Sequence, residues 1–234
     1  MTERLPEDTL AALRAVDTPT ICNALEIVAP ERRNNGFTRL PVVAADPSLP
    51  PFVGYARTAK IRAAEPPELP PEKLRELRLG YYEYISAPPG PSVVVIEDTD
   101  WPSCIGAFWG EVNSNIHKGL GIRGALTNGT MRDLDVLAEG FQLLAGDIGP
   151  SHAYVHVTAF DVPVKVFELD IAPGDLIHAD RHGAVVIPHG AAPELPAAID
   201  LCTRKEAPIL AAAREPDFSY QKLVEAWGAA EDVH

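Results

Sequence analysis

The spacing of hydrophobic and polar positions changes along the chain between helical and strand-like periods, which predicts a mixed α/β protein. Residues 7–28 have the pattern of two short helices, broken at Asp17-Thr18-Pro19, because proline is favoured in the first turn of a helix. Strand-like residues run from Phe52 to Ala63, and residues Ser92 to Ile96 predict a short buried strand. The proline-rich stretch 65–71 is predicted to be a loop, since proline fixes φ and lacks an amide donor.

The centre of the chain predicts an alternation of helix, strand and helix, and the later part is rich in strands before it becomes helical. The predicted elements are a helix from Glu72 to Ile85, a helix from about Glu111 to Leu120, a strand from Gly124 to Leu126, a second central helix from about Arg132, one or two strands from Val155 to Phe167, two strands from Asp175 to Ile187 joined at His182-Gly183, and mostly helix from Ala191 onward. Without a repeat or an evident linker, this order indicates one domain over residues 1–234. Its core spans about residues 15–190, and a helical extension covers about residues 191–234.

Composition restricts the class of protein. The chain of 234 residues is 46% hydrophobic and 23% charged, as in an ordinary globular domain. No apolar run reaches the roughly 18–20 residues that span a bilayer, and the N-terminus lacks the pattern of a signal peptide. The three cysteines, Cys22, Cys104 and Cys202, are far apart and odd in number, which favours a reducing compartment. We therefore expect a cytoplasmic protein without a membrane partner.

The formal net charge of −13 argues against a nucleic-acid partner, since an acidic chain without a basic run is a poor match for phosphate backbones. A small anionic substrate remains compatible with this charge, because a few well-placed cations are sufficient locally.

The most informative segment extends from residue 110 to residue 133. Its first part, Gly110-Glu111-Val112-Asn113, stands where a loop should enter a helix. The first amides of a helix have no partner inside it and carry partial positive charge, so they can receive a carboxylate. A plain helix start without a ligand fits these four residues as well.

The second part of this segment places Arg132 and Asp133 shortly after an apolar strand. Arg132 has the fork geometry that binds a carboxylate through two hydrogen bonds, and Asp133 could hold a hard cation such as Mg²⁺. Spacing alone, however, favours a capping box. In that interpretation Thr130 caps a helix and Asp133 reaches back to the start of it.

A second group of candidate metal ligands lies near the end of the strand-rich part. His178, Asp180 and His182 alternate, so a straight strand would place them on one face. They could form a metal site, but we favour a structural strand pair.

Three segments resemble the family of proteins related to regulator of ribonuclease E activity A, which includes the 4-hydroxy-4-methyl-2-oxoglutarate aldolases. The matching segments are Trp109-Gly110-Glu111, residues 124–135 (GALTNGTMRDLD) and residues 173–188 (PGDLIHADRHGAVVIP), and the early Asp17-Thr18-Pro19-Thr20 agrees. This resemblance implies a layered α/β/β/α sandwich of the swivelling-domain type, with helical segments at both ends. It also implies a homotrimer or homohexamer with sites near subunit interfaces.

The resemblance also implies roles for individual residues. The backbone amides of residues 110–113 would bind the substrate carboxylate, Arg132 would contact substrate oxygens, and Asp133 would be the direct protein ligand of Mg²⁺ or Mn²⁺. Glu111 would act through water bound to the metal. Asn128 stands where many of the aldolases carry aspartate, which leaves open another substrate specificity.

The expected function is that of a metal-dependent lyase that cleaves a carbon–carbon bond of a small 2-oxo acid. The reaction would be retro-aldol cleavage of the 4-hydroxy-4-methyl-2-oxoglutarate type, oxaloacetate decarboxylation, or both, through a pyruvate enolate stabilised by the metal and by Arg132. Two alternatives remain at this point. One is a non-enzymatic regulator that binds a ribonuclease, and the other is a related lyase or hydratase acting on a different oxo acid.

Overall fold

The computed structural model describes residues 4–88 and 90–233. In this part of the chain the strands are β1 (Val43–Ala44), β2 (Phe52–Arg62), β3 (Ser92–Asp98), β4 (Ala107–Trp109), β5 (Ile122–Thr127), β6 (Thr130–Met131), β7 (Gln142–Ala145), β8 (Asp147–Ile148), β9 (His156–Phe160), β10 (Val164–Val166), β11 (Leu169–Ile171), β12 (Leu176–Asp180) and β13 (Gly183–Ile187). The α-helices are α1 (Glu7–Arg14), α2 (Thr18–Val28), α3 (Pro71–Ser86), α4 (Glu111–Gly119), α5 (Leu195–Ala213) and α6 (Tyr220–Glu231).

Eight of these strands form one mixed sheet in the order β1-β7-β5-β3-β2-β12-β13, with β9 paired to β2. Strands β2, β3, β5 and β7 are mutually parallel, so their carboxyl ends meet at one edge. Strands β12 and β13 extend the sheet as an antiparallel hairpin. A small parallel sheet, β4-β6-β8, and the hairpin β10-β11 complete the strand pairing.

Strand β3 shows how the layers arise, because alternate residues of a strand face opposite sides of the sheet. Val94 and Ile96 belong to a core that includes side chains of α3 and of β4. Val93 and Val95 face the opposite core, which the β10-β11 hairpin covers. A third core joins α1, α2 and α5 to the β12-β13 end of the sheet. The predicted layered α/β fold with helices at both termini is thereby confirmed.

The break between the first two helices also lies where the sequence predicts it. Asp17 precedes α2 and its carboxylate accepts hydrogen bonds from the backbone N–H (2.9 Å) and the hydroxyl (2.6 Å) of Thr20. Pro19 lies in the first turn, where its missing donor is harmless. This N-cap therefore explains why one apolar stretch forms two helices.

The predicted helix from about Arg132 is wrong. Thr130 and Met131 instead form strand β6 between β4 and β8, Asp133 has a left-handed backbone (φ 57°), and only a 3₁₀ turn, Leu134–Val136, follows. The cause is tertiary: Met131 is completely buried and its backbone is used in pairing with neighbouring strands. Helix propensity does not outweigh such pairing.

None of the α-helices within the described ranges combines the length and the apolar character that a membrane crossing requires.

Candidate active site at the start of helix α4

The small sheet brings the two halves of the informative segment together. Strands β4 and β6 run in parallel, and the backbone N–H of Arg132 donates to the carbonyl of Trp109 (2.9 Å). Trp109 ends β4 immediately before α4, whereas Arg132 follows β6. Pairing of two very short strands therefore places Arg132 and Asp133 against the first turn of α4.

That first turn presents amides that the helix itself does not satisfy. The first internal bond runs from Ser114 N–H to the carbonyl of Gly110 (3.0 Å), so the amides of Glu111, Val112 and Asn113 precede the helical ladder. One of them has a partner from elsewhere in the chain, because Glu111 N–H donates to Oδ2 of Asp133 (3.2 Å). A carboxylate thus already lies at the positive end of the helix dipole, where such a group is favoured.

Glycine is required at position 110 because a side chain would not fit there, and not because of its backbone conformation. Its φ of −166° is extended and available to any residue. A Cβ atom at this position, however, would lie 2.5 Å from Oδ2 of Asp133 and 3.2 Å from Cγ of Arg132. The absence of a side chain at Gly110 therefore allows both residues to approach the start of the helix.

Arg132 and Asp133 form a loose ion pair that faces solvent. Nε of Arg132 lies 3.5 Å from Oδ2 of Asp133, and the two side chains are 35% and 36% exposed. At that distance and exposure the pair itself contributes little to stability. The strained left-handed backbone of Asp133 is typical of residues that the surrounding structure holds for a function.

The capping-box interpretation of Thr130 and Asp133 is wrong. Thr130 lies in β6, and its buried hydroxyl has no hydrogen-bond partner in the described part of the chain. Asp133 makes no side-chain capping bond to the 3₁₀ turn that follows it. Its carboxylate caps α4 instead, a helix that begins 22 residues earlier in the chain.

The remaining residues of the first turn point in different directions. Val112 is 70% exposed, and the side chain of Glu111, whose backbone amide binds Asp133, is also exposed. The side chain of Asn113 is held by the protein itself: its Oδ1 accepts from the hydroxyl of Tyr82 (2.7 Å) and its Nδ2 donates to the carbonyl of Phe108 (2.5 Å). Both polar atoms of the Asn113 side chain therefore have partners inside the protein, and its backbone amide is the group that precedes the helical ladder.

The donor set suits a metal ion that keeps most of its water. Among the described residues, no group of three or more His, Cys, Asp or Glu side chains converges as a ready metal cage. Asp133 provides one carboxylate that solvent reaches, with Glu111 beside it. A single direct carboxylate ligand fits Mg²⁺, which retains several waters, and does not fit Zn²⁺, which takes three or four protein ligands.

Asn128 has a structural place between two strand ends. It is 3% exposed. Its Oδ1 accepts from Asp98 N–H (2.7 Å) and its Nδ2 donates to the Asp98 carbonyl (3.2 Å). An aspartate at this position could accept the first bond but not donate the second, so asparagine joins the ends of β3 and β5 more completely.

The group around His178 anchors helices to the sheet. The ring of His178 is buried and lies within hydrogen-bond distance of the Thr18 hydroxyl and of the carbonyl of Leu13, both at 3.0 Å. Asp180 accepts from the N–H groups of Thr18 (3.0 Å) and His182 (2.8 Å). These contacts use the polar atoms inside the protein, in agreement with the structural interpretation.

Sequence reasoning missed three residues next to the candidate site: Tyr81, Tyr82 and His117. The two tyrosines reach α4 from α3: Tyr82 binds Asn113, 31 residues later, and Tyr81 binds His117, 36 residues later. The only local signal is His117 itself, one helical turn after Asn113.

Comparison with protein families gives one match that covers most of the chain. A model described as RraA-like, Aldolase/RraA, matches residues 12–186. That range contains Gly110, Glu111, Arg132 and Asp133. Comparison with curated protein sequences gives no match.

Several solved structures share the fold. An uncharacterized protein from Pseudomonas syringae pv. tomato is 21% identical with a TM-score of 0.72, and the alignment covers 96% of this chain and 97% of that one. RraAS2 from Streptomyces coelicolor, described as an unusual member of the RNase ES inhibitor RraA protein family, is 24% identical with a TM-score of 0.67, covering 91% and 99%. The RNA-processing inhibitor RraA from Thermus thermophilis is 21% identical with a TM-score of 0.51, covering 70% and 90%. At these identities the likeness concerns the fold alone.

Proposed function

Because this chain belongs to the RraA-like family of aldolases and RraA proteins, we propose that it is a divalent-metal-dependent lyase that cleaves a carbon–carbon bond of a small 2-oxo acid. The family also contains inhibitors of ribonucleases, so membership alone does not decide between an enzyme and a regulator. The arrangement of side chains at the start of α4 favours the enzyme.

One observation carries the proposal. Asp133 Oδ2 lies 3.2 Å from the amide of Glu111 and 3.5 Å from Nε of Arg132, at a helix start whose next amides lack internal partners. The first turn of α4 therefore provides an anion site, and Arg132 and Asp133 bring a guanidinium and a carboxylate for a cation against that same turn. A surface that only binds another protein does not need this combination.

In this proposal, different residues bind different groups of the substrate. The free amides of Val112 and Asn113 bind the carboxylate of the oxo acid at the positive end of α4. Arg132 donates to the 2-oxo oxygen, and its fixed positive charge stabilises the negative charge that develops there. Asp133 would hold Mg²⁺ or Mn²⁺, and the bound metal would supply Lewis-acid polarisation of the substrate oxygens.

The proposed cleavage needs no covalent bond between substrate and protein, because the electron pair and the proton of the reaction both have an acceptor. In retro-aldol cleavage the C4 hydroxyl loses its proton, the C3–C4 bond breaks, and its electron pair enters the carbonyl system as a pyruvate enolate. Glu111, exposed beside the site, accepts the hydroxyl proton through water and returns a proton to C3. Decarboxylation of oxaloacetate produces the same enolate with loss of CO₂, so one site serves both reactions.

The surroundings of the site also support assembly as a homotrimer or a homohexamer. Four large apolar side chains next to the site residues are exposed, and we call them the apolar rim: Val112 (70%), Leu134 (40%), Val136 (52%) and Ile148 (50%). Large exposed apolar surfaces commonly form interfaces, and we propose that the apolar rim is buried between copies. Association of copies through the rim would also close a site that is open to solvent on a single chain.

The direct experiment is an assay of pyruvate release from oxaloacetate and from 4-hydroxy-4-methyl-2-oxoglutarate. We expect turnover with Mg²⁺ or Mn²⁺, loss of turnover with EDTA, and recovery when metal is returned. Turnover that survives complete chelation, or a borohydride-trapped adduct on lysine, would exclude this mechanism. If the protein turns over neither substrate and instead inhibits a ribonuclease, it is a regulator.

A further inference from the structure

A chain of four hydrogen-bonded residues links helix α3 to the first turn of α4. The hydroxyl of Tyr82 donates to Oδ1 of Asn113 (2.7 Å), Nδ1 of His117 lies 2.6 Å from the carbonyl of Asn113, and Nε2 of His117 lies 2.6 Å from the hydroxyl of Tyr81. We propose that Tyr82, His117 and Tyr81 are positioning residues for substrate binding: they hold the amides at the start of α4 in the orientation that receives the substrate carboxylate. This inference rests on the proposed function, and it identifies three residues that the proposed function does not by itself require.

The hydrogen-bond pattern fixes the protonation of His117. A backbone carbonyl only accepts, so Nδ1, which faces the carbonyl of Asn113, must carry the proton. In the neutral ring Nε2 is then an acceptor, and the hydroxyl of Tyr81 donates to it. The neutral ring gives the hydroxyl proton of Tyr81 an acceptor, whereas a protonated ring would direct Nε2–H at the hydroxyl and turn that proton away.

Burial keeps His117 in that state. Tyr81 and His117 are both completely buried, and the ring of Trp109 packs against the imidazole with centroids 4.5 Å apart. Burial lowers the pKa of His117 to about 4. The imidazole is therefore neutral at physiological pH, and its function is to hold a conformation rather than to transfer a proton.

Asn113 connects the hydrogen-bonded chain of Tyr82, His117 and Tyr81 to the candidate site. Its carboxamide is fixed at both ends by Tyr82 and by the carbonyl of Phe108, the residue before Trp109 in β4. Its carbonyl is fixed by His117. Since these three bonds determine the orientation of the residue, they also determine the direction of the backbone amides in the same turn.

Tyr82 is the best residue for a test because α3 also offers a matched control. Tyr82 is partly buried, and replacement with phenylalanine removes only the hydroxyl that binds Asn113. Tyr84 lies on the same helix and is also partly buried, but its hydroxyl accepts from Thr58 N–H (3.2 Å) and its ring stacks on Phe160. Tyr84→Phe therefore removes a hydroxyl of the same kind from the other side of the helix.

We expect Tyr82→Phe to raise KM for oxaloacetate about five-fold and to leave kcat nearly unchanged, because loss of one hydrogen bond weakens binding of ground state and transition state alike. The dissociation constant of oxalate, measured by calorimetry with Mg²⁺, should rise by a similar factor. Tyr84→Phe should leave both constants at wild-type values. Hydrogen exchange at residues 111–113 should be faster in Tyr82→Phe than in the control variant.

The outcomes separate the two claims. If the wild type turns over the substrate and binds oxalate, but Tyr82→Phe equals Tyr84→Phe in KM, oxalate affinity and amide exchange, the positioning role is wrong and the lyase remains. A fall in melting temperature with unchanged KM would show a merely structural role and would also overturn the inference. A wild type that neither turns over the substrate nor binds oxalate would remove the proposed function and this inference with it.

Discussion

At the scale of single residues, Asp133 combines two roles that sequence spacing presents as alternatives. The bonds described for its carboxylate both use Oδ2, toward the amide of Glu111 and toward Arg132, so Oδ1 remains for a cation. Asp133 therefore caps a helix and can hold a metal at the same time. The sequence indicates the importance of this residue but not which helix it caps, because that helix begins 22 residues earlier.

Asp133→Asn should separate the two roles. Asparagine keeps an oxygen that can accept from Glu111 N–H, so the melting temperature should fall by little, whereas the charge that Mg²⁺ requires is lost. We expect metal affinity and pyruvate release to decrease by about 100-fold or more, since loss of a group that only supports a metal ligand already costs roughly 10- to 100-fold. Calorimetry with Mg²⁺ and thermal melts provide the measurements. Wild-type metal affinity in this variant would show that Asp133 only caps α4.

Arg132→Lys tests the second charged group of the site. Lysine retains the positive charge but not the planar fork, so kcat/KM should fall by roughly 10- to 100-fold while the fold persists. Steady-state assays alongside thermal melts would measure both effects. A variant with unchanged kcat/KM for oxaloacetate would place the substrate away from Arg132.

Gly110→Ala tests the close approach between the two halves of the site. The added Cβ would lie 2.5 Å from Oδ2 of Asp133, so the carboxylate must move and the bond to Glu111 N–H should be lost. We expect a loss of stability of about 1–3 kcal/mol, typical of overpacking, together with a loss of activity. Gly119→Ala at the other end of α4 is the control, since a Cβ there meets nothing within 4 Å. Equal effects of the two substitutions would contradict the steric argument.

At the scale of elements, the sequence predicts those whose signal is local. Helices α3 and α4, strand β3 and the β12-β13 hairpin lie close to the predicted positions, since each has a clear apolar period or a defined break. Strands β4, β6 and β8 were not predicted, because each has only two or three residues and exists only through pairing with distant strands. The same short strands assemble the candidate site, and so its geometry could not be derived from local pattern.

Asp180 shows how one carboxylate joins separate elements, and it predicts a pH dependence of stability. Burial raises the pKa of Asp180, but the hydrogen bonds donated by Thr18 N–H and by His182 outweigh burial and lower it. A lowered pKa in the folded state means that the stabilisation is present above the unfolded pKa of about 3.9 and is lost as pH falls through the folded value.

We therefore expect Asp180→Asn to lower the melting temperature at pH 7, because the amide NH₂ would face one of the backbone donors. The difference from wild type should shrink as the pH falls below about 4. Asp170→Asn is the control: Asp170 is 83% exposed and its contact with Lys165 is long, at 3.8 Å. A difference for Asp180→Asn that stays constant from pH 7 to pH 3 would show that the charge of Asp180 does not contribute.

At the scale of the whole molecule, the layered fold is shared with solved structures that are 24% identical or less. A fold hosts several functions, and the structures named here include proteins described as inhibitors of RNA processing. The proposal of an enzyme therefore rests on the arrangement of Arg132 and Asp133 at the start of α4, with Glu111 beside them, and on closure of the site toward solvent. Burial of the apolar rim between copies would supply such closure and would connect the proposed chemistry to the proposed assembly.

The assembly can be tested by light scattering at micromolar concentration. We expect a mass of three or six times the 25.2 kDa of one chain. Val136→Glu places a charge in the apolar rim and should shift the mass toward that of a monomer, because burying an unpaired carboxylate in an interface is costly. Leu79→Glu is the matched control, since Leu79 on α3 is 50% exposed, as Val136 is 52% exposed, but lies outside the rim. If wild type and both variants give the mass of one chain, the apolar rim is not an interface between copies, and the site must act on a single chain.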